Sequence, residues 1–373
     1  MMRRLIARII LADVRRPHLD QSDCLRTVKL TSIFLAAIAA KVGIWSEPDA
    51  ESLRAIAVDP FSRFALAEAG FRARNWLGPA LVSALHLSAP TPYFVFHLIL
   101  AIATASVILR LVTQNAPPSD TWALMLITAA VPGMAVAFFW VGNDAVTLTL
   151  FALAICLRRS GYLSALIAVL IGLNHFEHGV AAMLALGLWN CLERPRRRSL
   201  VPSMLSLVGL IIGRLIQEAI FNEIGVRGIP SRLGINVTNR QDLDSIKAVA
   251  FLLPLVAWSI LGLGTVVILI ASPLRMRLAS CLGFLAVPSL IAFDQTRVFA
   301  ITSLPVTVVA LIESRAAVAE WVRRHRTLMI VMFVVTPWLW LDSWKISGSA
   351  TPYTLLWILD RLVPGFELST LPR

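Results

Sequence analysis

Apolar runs of about helix length, separated by short polar segments, recur along almost the whole chain. A helix needs about 20 apolar residues to cross a bilayer, so this pattern predicts a bundle of membrane-spanning helices. Some runs hold only about 12–16 residues, and we expect these to extend into polar neighbours or to lie tilted in the bundle. The predicted spans are residues 29–45, 93–111, 121–140, 145–157, 162–173, 180–191, 200–221, 248–270, 278–293, 298–312 and 328–341.

One apolar stretch, residues 76–87, is too short to cross a membrane. Counting it as a span would also place Arg158 and Arg159 on the outer side, against the usual distribution of positive charge. We therefore expect a re-entrant or interfacial helix there, within a first outer loop that covers residues 46–92.

Two further segments outside the spans predict surface helices. Residues 1–27 are basic, with apolar positions on one helical face, and indicate an amphipathic segment on the cytoplasmic surface. The outer C-terminal tail, residues 342–373, contains a second such stretch at residues 353–363.

The composition excludes three other classes of protein. Apolar residues make up 57% of the 373 residues, charged residues 15%, and the mean hydropathy is +0.76. Soluble domains carry about 25% charged residues, so an ordinary soluble enzyme and a disordered chain are both excluded. The same composition excludes a disulfide-rich secreted scaffold, and the four cysteines fall on or near the predicted cytoplasmic side, where no disulfide is expected. We predict an all-α, polytopic membrane bundle of about eleven helices, which forms one integral membrane domain over residues 1–373.

The basic residues orient this bundle. The formal net charge is +12, which basic cytoplasmic loops explain more simply than binding to nucleic acid. Eleven spans with a cytoplasmic N-terminus place every basic cluster inside, and we predict a bacterial inner-membrane protein with its C-terminus outside. The clusters are Arg3, Arg4, Arg8, Arg15, Arg16, Arg26 and Lys29; Arg158 and Arg159; Arg194 and Arg196 to Arg198; Arg275 and Arg277; and Arg315, Arg323, Arg324 and Arg326.

The first outer loop holds candidate catalytic and phosphate-binding residues. Asp49 and Glu51 follow the first span, where a carboxylate is a candidate general base for an acceptor hydroxyl. The alternative is that either residue caps the following helix. Arg72 and Arg74 carry guanidinium groups that suit a phosphate or diphosphate, with anchoring to lipid headgroups as the alternative.

Two other outer turns place charged residues close to the bilayer. Asn143 and Asp144 lie in a tight turn between apolar runs, and we favour a functional role over ordinary turn chemistry because an acid there is costly. Asp294 and Arg297 are spaced i, i+3 and either pair with each other or bind substrate. In the second case Arg297 holds an anionic ligand and Asp294 orients it.

A fourth outer turn contains His175, Glu177 and His178. These side chains are candidates for proton transfer or for hydrogen bonds to sugar hydroxyls, with a simple interfacial turn as the alternative. Two imidazoles and one carboxylate without a recognised spacing do not predict a metal site. No cofactor is indicated, and a divalent cation stays open as an alternative.

Four outer turns thus carry carboxylates, and two of them also carry arginine. This pattern predicts a polar cavity that faces outward and suits the headgroup of a lipid phosphate.

The first 90 residues resemble a known group of membrane enzymes. The stretch Asp-Ala-Glu-Ser-Leu-Arg-Ala-Ile-Ala-Val-Asp-Pro-Phe begins at Asp49, and Phe-Arg-Ala-Arg-Asn-Trp-Leu-Gly-Pro begins at Phe71. Both are similar to stretches in the C-type membrane glycosyltransferases, which have the GT-C fold, and in bacterial proteins of cell-surface glycopolymer formation. The resemblance implies a base in the first outer loop and a second acid after the third span, positions that Asp49 and Asp144 match. Leu53 departs from the aromatic residue often found there, and Glu51 competes with Asp49 as the base.

The resemblance implies transfer of a sugar from a polyprenyl-phosphate donor to a glycan or lipid acceptor on the extracytoplasmic side. The protein would then act in cell-surface polysaccharide or glycolipid assembly. Two alternatives stay open. One is a polymerase or ligase of lipid-linked oligosaccharides, and the other is a transporter or flippase that makes no bond. Membrane lipids are expected partners in each case.

Overall fold

The computed structural model describes residues 21–47, 50–158, 160–193, 197–229, 253–292, 294–336, 338–342 and 345–349. These residues are almost entirely helical, as the apolar pattern predicts. Asp49 lies outside the described residues, as do residues 1–20 of the predicted amphipathic segment and the predicted surface helix at residues 353–363.

Fourteen helices are described, together with one 3-10 turn at Gly70–Arg74. In chain order the helices are α1 (Gln21–Val42), α2 (Ala50–Val58), α3 (Arg63–Ala69), α4 (Leu77–Ala84), α5 (Pro90–Thr113), α6 (Pro118–Ala129), α7 (Pro132–Phe139), α8 (Asp144–Cys156), α9 (Gly161–Leu192), α10 (Arg197–Glu223), α11 (Leu253–Ala271), α12 (Arg275–Ile291), α13 (Gln295–Arg324) and α14 (Arg326–Val335).

Several of these helices are long and apolar enough to cross a membrane. Within the described part of the chain, four meet that test by length and composition, namely Pro90–Thr113, Gly161–Leu192, Val201–Glu223 and Gln295–Arg324, although Gly161–Leu192 is interrupted at His175. A fifth candidate is the pair α6 and α7, which is bent by 61° where the chain approaches Pro132. The chain is therefore a multi-pass helical membrane protein.

Helix α9 reverses its direction at His175, whose backbone is not helical (φ −154°, ψ 74°). Ser164 lies 2.8 Å from Ser206 between hydroxyl oxygens, and Asn190 Nδ2 lies 3.2 Å from the hydroxyl of Ser203. In a straight helix, residues 164 and 190 would be about 39 Å apart, yet their partners are three residues apart in α10. The two arms of α9 therefore run antiparallel along α10, and the reversal coincides with the turn predicted between residues 162–173 and 180–191.

Small residues allow the first arm of α9 to approach α10 closely. A Cβ atom on Gly213 would overlap the carbonyl oxygen of Val169, and one on Gly209 would overlap that of Ala165. Close backbone approach through glycine is a common way of packing helices in membranes, because apolar side chains gain little by leaving lipid.

Helix α13 forms the centre of the bundle, since every residue from Gln295 to Leu311 except Val298 is buried. We refer to its two ends as the Arg297 end and the Arg323 end. Ion pairs toward the Arg323 end join predicted cytoplasmic arginines to neighbouring helices. They are Arg158–Glu313 at 3.5 Å, Arg277–Glu193 at 3.8 Å and Arg323–Asp120 at 3.3 Å.

Helices α2, α3 and α4 and the 3-10 turn form a small helical cap, which has an apolar core of its own. This core includes Leu53, Leu66 and Trp76, and it packs against Phe221 at the end of α10. Helix α4 lies within the apolar stretch 76–87, and its eight residues rise only about 12 Å. That length is far less than the thickness of a bilayer.

The last predicted span is shorter than expected. Helix α14 ends at Val335, and Thr336 is extended (ψ 123°) because it precedes Pro337, which disfavours a helical conformation in the residue before it. The chain then forms an antiparallel hairpin of β1 (Trp338–Asp342) and β2 (Lys345–Ser349), with Trp338 opposite Ser349.

Candidate functional site

A buried arginine at the Arg297 end of α13 is surrounded by three carboxylates. Arg297 Nη2 donates to Glu47 Oε1 at 2.9 Å and to Asp144 Oδ1 at 2.9 Å, and Nε donates to Asp144 Oδ2. Asp294 Oδ2 lies 3.9 Å from Nη1. Glu47, Asp144 and Arg297 are each at least 95% buried. We call these four residues the acid cluster.

Backbone pairing positions Glu47 within the acid cluster. The segment after α1 pairs with the segment after α7, through Glu47 N to Val141 O at 3.1 Å and Val141 N to Trp45 O at 2.7 Å. Asn143 N then donates to Glu47 Oε2 at 2.9 Å. Gly142 is required at this turn because a Cβ atom there would overlap the carboxylate of Glu47.

Asp294 has two roles at the start of α13. Its Oδ1 accepts from Arg297 N at 3.1 Å, so it is the N-cap of the helix. Its other oxygen makes the long contact with the guanidinium. The predicted pairing of Asp294 with Arg297 is therefore present, but Asp144 binds the guanidinium more closely.

The acid cluster carries more negative than positive charge. Three carboxylates surround one guanidinium, whose other side lies against the ring of Trp140, 5.4 Å from its centroid. A buried charge is stable only when it is paired and hydrogen-bonded. Arg297 is therefore better suited to holding Glu47 and Asp144 in place than to attracting a phosphate.

Glu47 is the residue that sequence reasoning missed. Asp49 and Glu51 were the candidates in this loop, but Glu51 lies on an exposed position of α2 and Asp49 is outside the described residues. The available signal was that Glu47 is the acid nearest to the end of the first span. Sequence alone does not show which of three neighbouring acids turns inward, because backbone pairing with residue 141 decides it.

The predicted phosphate-binding arginines lie in the cap. Arg74 Nη1 is 2.6 Å from Glu218 Oε1, the same oxygen that Arg214 Nη2 contacts at 2.6 Å, and Arg74 also donates to the carbonyl oxygen of Ile229. Arg72 lies over the ring of Phe71, 5.1 Å from its centroid. Arg74 thus ties the cap to α10, and one carboxylate is shared between two guanidinium groups.

The predicted histidines lie at the reversal of α9. His175 and His178 are buried and stacked, with ring centroids 3.5 Å apart and planes 11° from parallel. Glu177 is partly exposed. Over the described ranges, no group of three or more histidine, cysteine or acidic side chains is arranged to hold a metal ion.

Asn174, next to this stacked pair, connects the cap to the bundle. Its Oδ1 accepts from Gly78 N in α4 at 3.0 Å, and its Nδ2 donates to the hydroxyl of Thr147 in α8 at 2.9 Å. Gly78 also lies directly against Asn143, where a Cβ atom would overlap the amide. Helix α4 therefore packs directly against the turn that carries Asn143 and Asp144.

Comparison with known proteins adds no family to this description. No protein-family model, no curated protein and no solved structure matches the chain. Its function is therefore inferred from the acid cluster and its surroundings.

Proposed function

We propose that this protein is a membrane glycosyltransferase of the GT-C type that transfers a sugar from a polyprenyl-phosphate donor to a glycan or lipid acceptor. The observation that carries the proposal is the acid cluster, in which one guanidinium holds carboxylates from separate segments of the chain at one end of the bundle. Fixed carboxylates are the groups needed to remove a proton from an attacking hydroxyl.

Glu47 is the proposed base. It lies in the first outer loop, as the family resemblance implies for the base, and Arg297 and Asn143 N each bind one of its oxygens. It would accept the hydroxyl proton while the hydroxyl oxygen attacks the anomeric carbon and the lipid phosphate leaves. Asp144 and Asp294 would orient the acceptor or the sugar.

Arg72 and Arg74 are the proposed ligands of the leaving phosphate. They lie in the cap rather than in the acid cluster, and Arg74 shares the single carboxylate of Glu218 with Arg214, so positive charge is in excess there. Arg297, in contrast, would act by positioning the acids. His175, Glu177 and His178 would bind sugar hydroxyls or assist proton transfer.

The proposed topology has eleven crossings, with the N-terminus in the cytoplasm of a bacterium and the acid cluster facing outward. Two observations support this topology. The arms of α9 are antiparallel, and the predicted cytoplasmic residues Arg158, Arg277 and Arg323 form ion pairs far from Arg297. Arg323 follows Arg297 by 26 residues of one helix, which is about 39 Å. That distance exceeds the thickness of the hydrocarbon core.

The test uses purified protein in lipid nanodiscs with a panel of polyprenyl-phosphate sugars and an acceptor extract. The proposal is supported if the wild type and E68Q release polyprenyl phosphate and E47Q does not. Glu68 is a suitable control because it is an exposed carboxylate of the same cap. If no donor releases polyprenyl phosphate, the proposal fails. Turnover of diphosphate-linked oligosaccharides would then indicate a polymerase or ligase. Movement of lipid across the membrane without bond formation would indicate a flippase.

A further inference from the structure

Four buried side chains around the acid cluster carry polar atoms that have no hydrogen-bond partner among the described residues. These atoms are Tyr93 Oη, His97 Nε2, Asn143 Oδ1 and both amide atoms of Gln295. Each of the four side chains is at least 98% buried. Because nearly all buried polar groups in proteins are paired, a local concentration of unpaired ones indicates a place for a polar ligand.

The four side chains come from three parts of the chain, namely α5, the residue before α8 and the start of α13. Tyr93 and His97 lie one turn apart in α5, with ring centroids 4.3 Å apart. Helix α5 packs against α8, which begins at Asp144, through hydroxyl groups of Thr104 and Thr149 that lie 2.9 Å apart. Asn143 directly precedes Asp144, and Gln295 lies between Asp294 and Arg297 in the chain. These residues thus adjoin the acid cluster, whereas other unpaired buried atoms of the described residues, such as Thr307 Oγ1, lie elsewhere in the bundle.

The hydrogen-bonding character of these atoms identifies the chemistry of the ligand. His97 Nδ1 lies 2.8 Å from the carbonyl oxygen of Tyr93, so Nδ1 carries the proton and Nε2 of the neutral ring is an acceptor. Asn143 Oδ1, which lies against Gly78 of α4, is an acceptor, while the Tyr93 hydroxyl and the Gln295 amide both donate and accept. Acceptors therefore dominate, and they lie beside an excess of carboxylates.

A ligand for such a site must donate hydrogen bonds. Phosphate oxygens mainly accept them, and the carboxylates of Glu47 and Asp144 would repel a phosphate. Hydroxyl groups donate and accept, which matches both the acceptors and the two mixed groups. The chemistry thus favours a polyhydroxyl ligand.

We infer that Tyr93, His97, Asn143 and Gln295 form a subsite for the hydroxyl groups of the transferred sugar, and that the lipid phosphate binds outside it. The inference rests on the proposed function and names which part of the donor the buried residues contact. These four residues would set the choice of sugar, while the cap would bind the phosphate of any donor.

The test compares two ligands that differ only in the sugar, polyprenyl phosphate with and without a linked hexose. Binding to wild type, Y93F and Q295M is measured in nanodiscs. Each variant is expected to lose about tenfold in affinity for the sugar-bearing lipid, equivalent to one hydrogen bond, with affinity for the bare lipid phosphate unchanged. The melting temperature of the ligand-free variants should stay the same or rise, because an unpaired buried polar group is removed.

T307V is the matched control. Thr307 Oγ1 is also buried without a hydrogen-bond partner in the described part of the chain, but it lies ten residues beyond Arg297 in α13, about 15 Å away. Its removal should not change affinity for either lipid.

Three results would overturn the inference without removing the proposed function. If Y93F and Q295M lower the affinity for both lipids equally, these groups do not contact the sugar. Unchanged affinity in both variants would show that the groups bind no ligand. A wild type that transfers sugar but binds both lipids equally would remove the subsite while leaving the proposed function intact. Absence of transfer and of lipid binding in the wild type would instead remove the proposed function, and the subsite with it.

Discussion

At the scale of single residues, Arg297 joins carboxylates that are distant from one another in the sequence. Its guanidinium contacts Glu47, Asp144 and Asp294, which come from three separate parts of the chain. A buried ion pair adds little net stability compared with an apolar contact, but removing one partner leaves uncompensated charge. The acid cluster is therefore sensitive to any change that alters its net charge.

Replacing the arginine tests this sensitivity. R297M should lower the free energy of unfolding by about 3–5 kcal/mol, because the carboxylates lose their counter-charge. The free energy is measured by denaturant unfolding in detergent. The double variant R297M/D144N should be less destabilised than the sum of the two single changes, with a coupling of about 0.5–3 kcal/mol. Additive effects would mean that the two side chains do not interact.

The choice of base is tested in the first outer loop. E47Q should reduce transfer by about 10²–10⁴-fold, because a positioned general base contributes about that much. E51Q should retain at least half of the activity, since Glu51 is exposed on α2. Initial rates of polyprenyl phosphate release, normalised to folded protein, give the comparison. The reverse order would assign the role of base to Glu51. D49N is measured beside them, and loss of transfer in that variant alone would assign the role to Asp49, the base that the family resemblance implies.

At the scale of elements, the contact between α9 and α10 shows how glycine positions set the packing. Gly209 and Gly213 lie against the backbone of the first arm of α9. The side-chain contacts of Ser164 with Ser206 and of Asn190 with Ser203 then fix both arms on the same partner helix. Helix α10 thus serves as the support on which the reversed helix folds.

The same substitution at two glycines tests this contact. G213A should destabilise the protein by about 1–3 kcal/mol, because the new methyl group overlaps a backbone carbonyl that cannot move aside easily. G283A should be neutral or stabilise by up to about 1 kcal/mol, since no atom lies within 4 Å of the added Cβ and alanine favours a helix. Thermal unfolding of both variants in the same detergent is the measurement, and equal effects would contradict this packing.

At the scale of the whole molecule, separation of charge along α13 gives the bundle two chemically different ends. Arg297 is neutralised by buried acids at one end, and basic residues pair with Glu313, Glu193 and Asp120 toward the other. This separation fits a protein whose ends face different compartments, with positive charge retained inside.

Cysteine labelling tests the orientation. In a variant without native cysteines, E68C should react with a membrane-impermeant maleimide in intact cells, whereas E320C should react only after the membrane is permeabilised. Both side chains are exposed, so a difference between them reports the side of the membrane. Labelling of E320C from outside would invert the proposed orientation.

Much of the helical organisation could be predicted from apolar runs and basic loops, because both follow directly from the cost of placing polar groups in lipid. Asp144 and Arg297 could be identified for the same reason. Glu47, Tyr93, His97 and Gln295 could not, since their importance depends on which groups face one another after packing. The hairpin after Val335 could not be recognised from apolarity alone, because Trp338 and Leu339 suit a span as well as a strand.

The reversal at His175 has a consequence for every residue that follows it. Under the proposed topology, α9 enters and leaves the membrane on the same side, so it adds an even number of passes. If α9 crossed only once, the parity of all later crossings would change. Arg297 would then face the cytoplasm, and Arg323 and Arg324 would face outward. In the proposed topology, the irregular backbone at His175 thus decides which side of the membrane the second half of the protein faces.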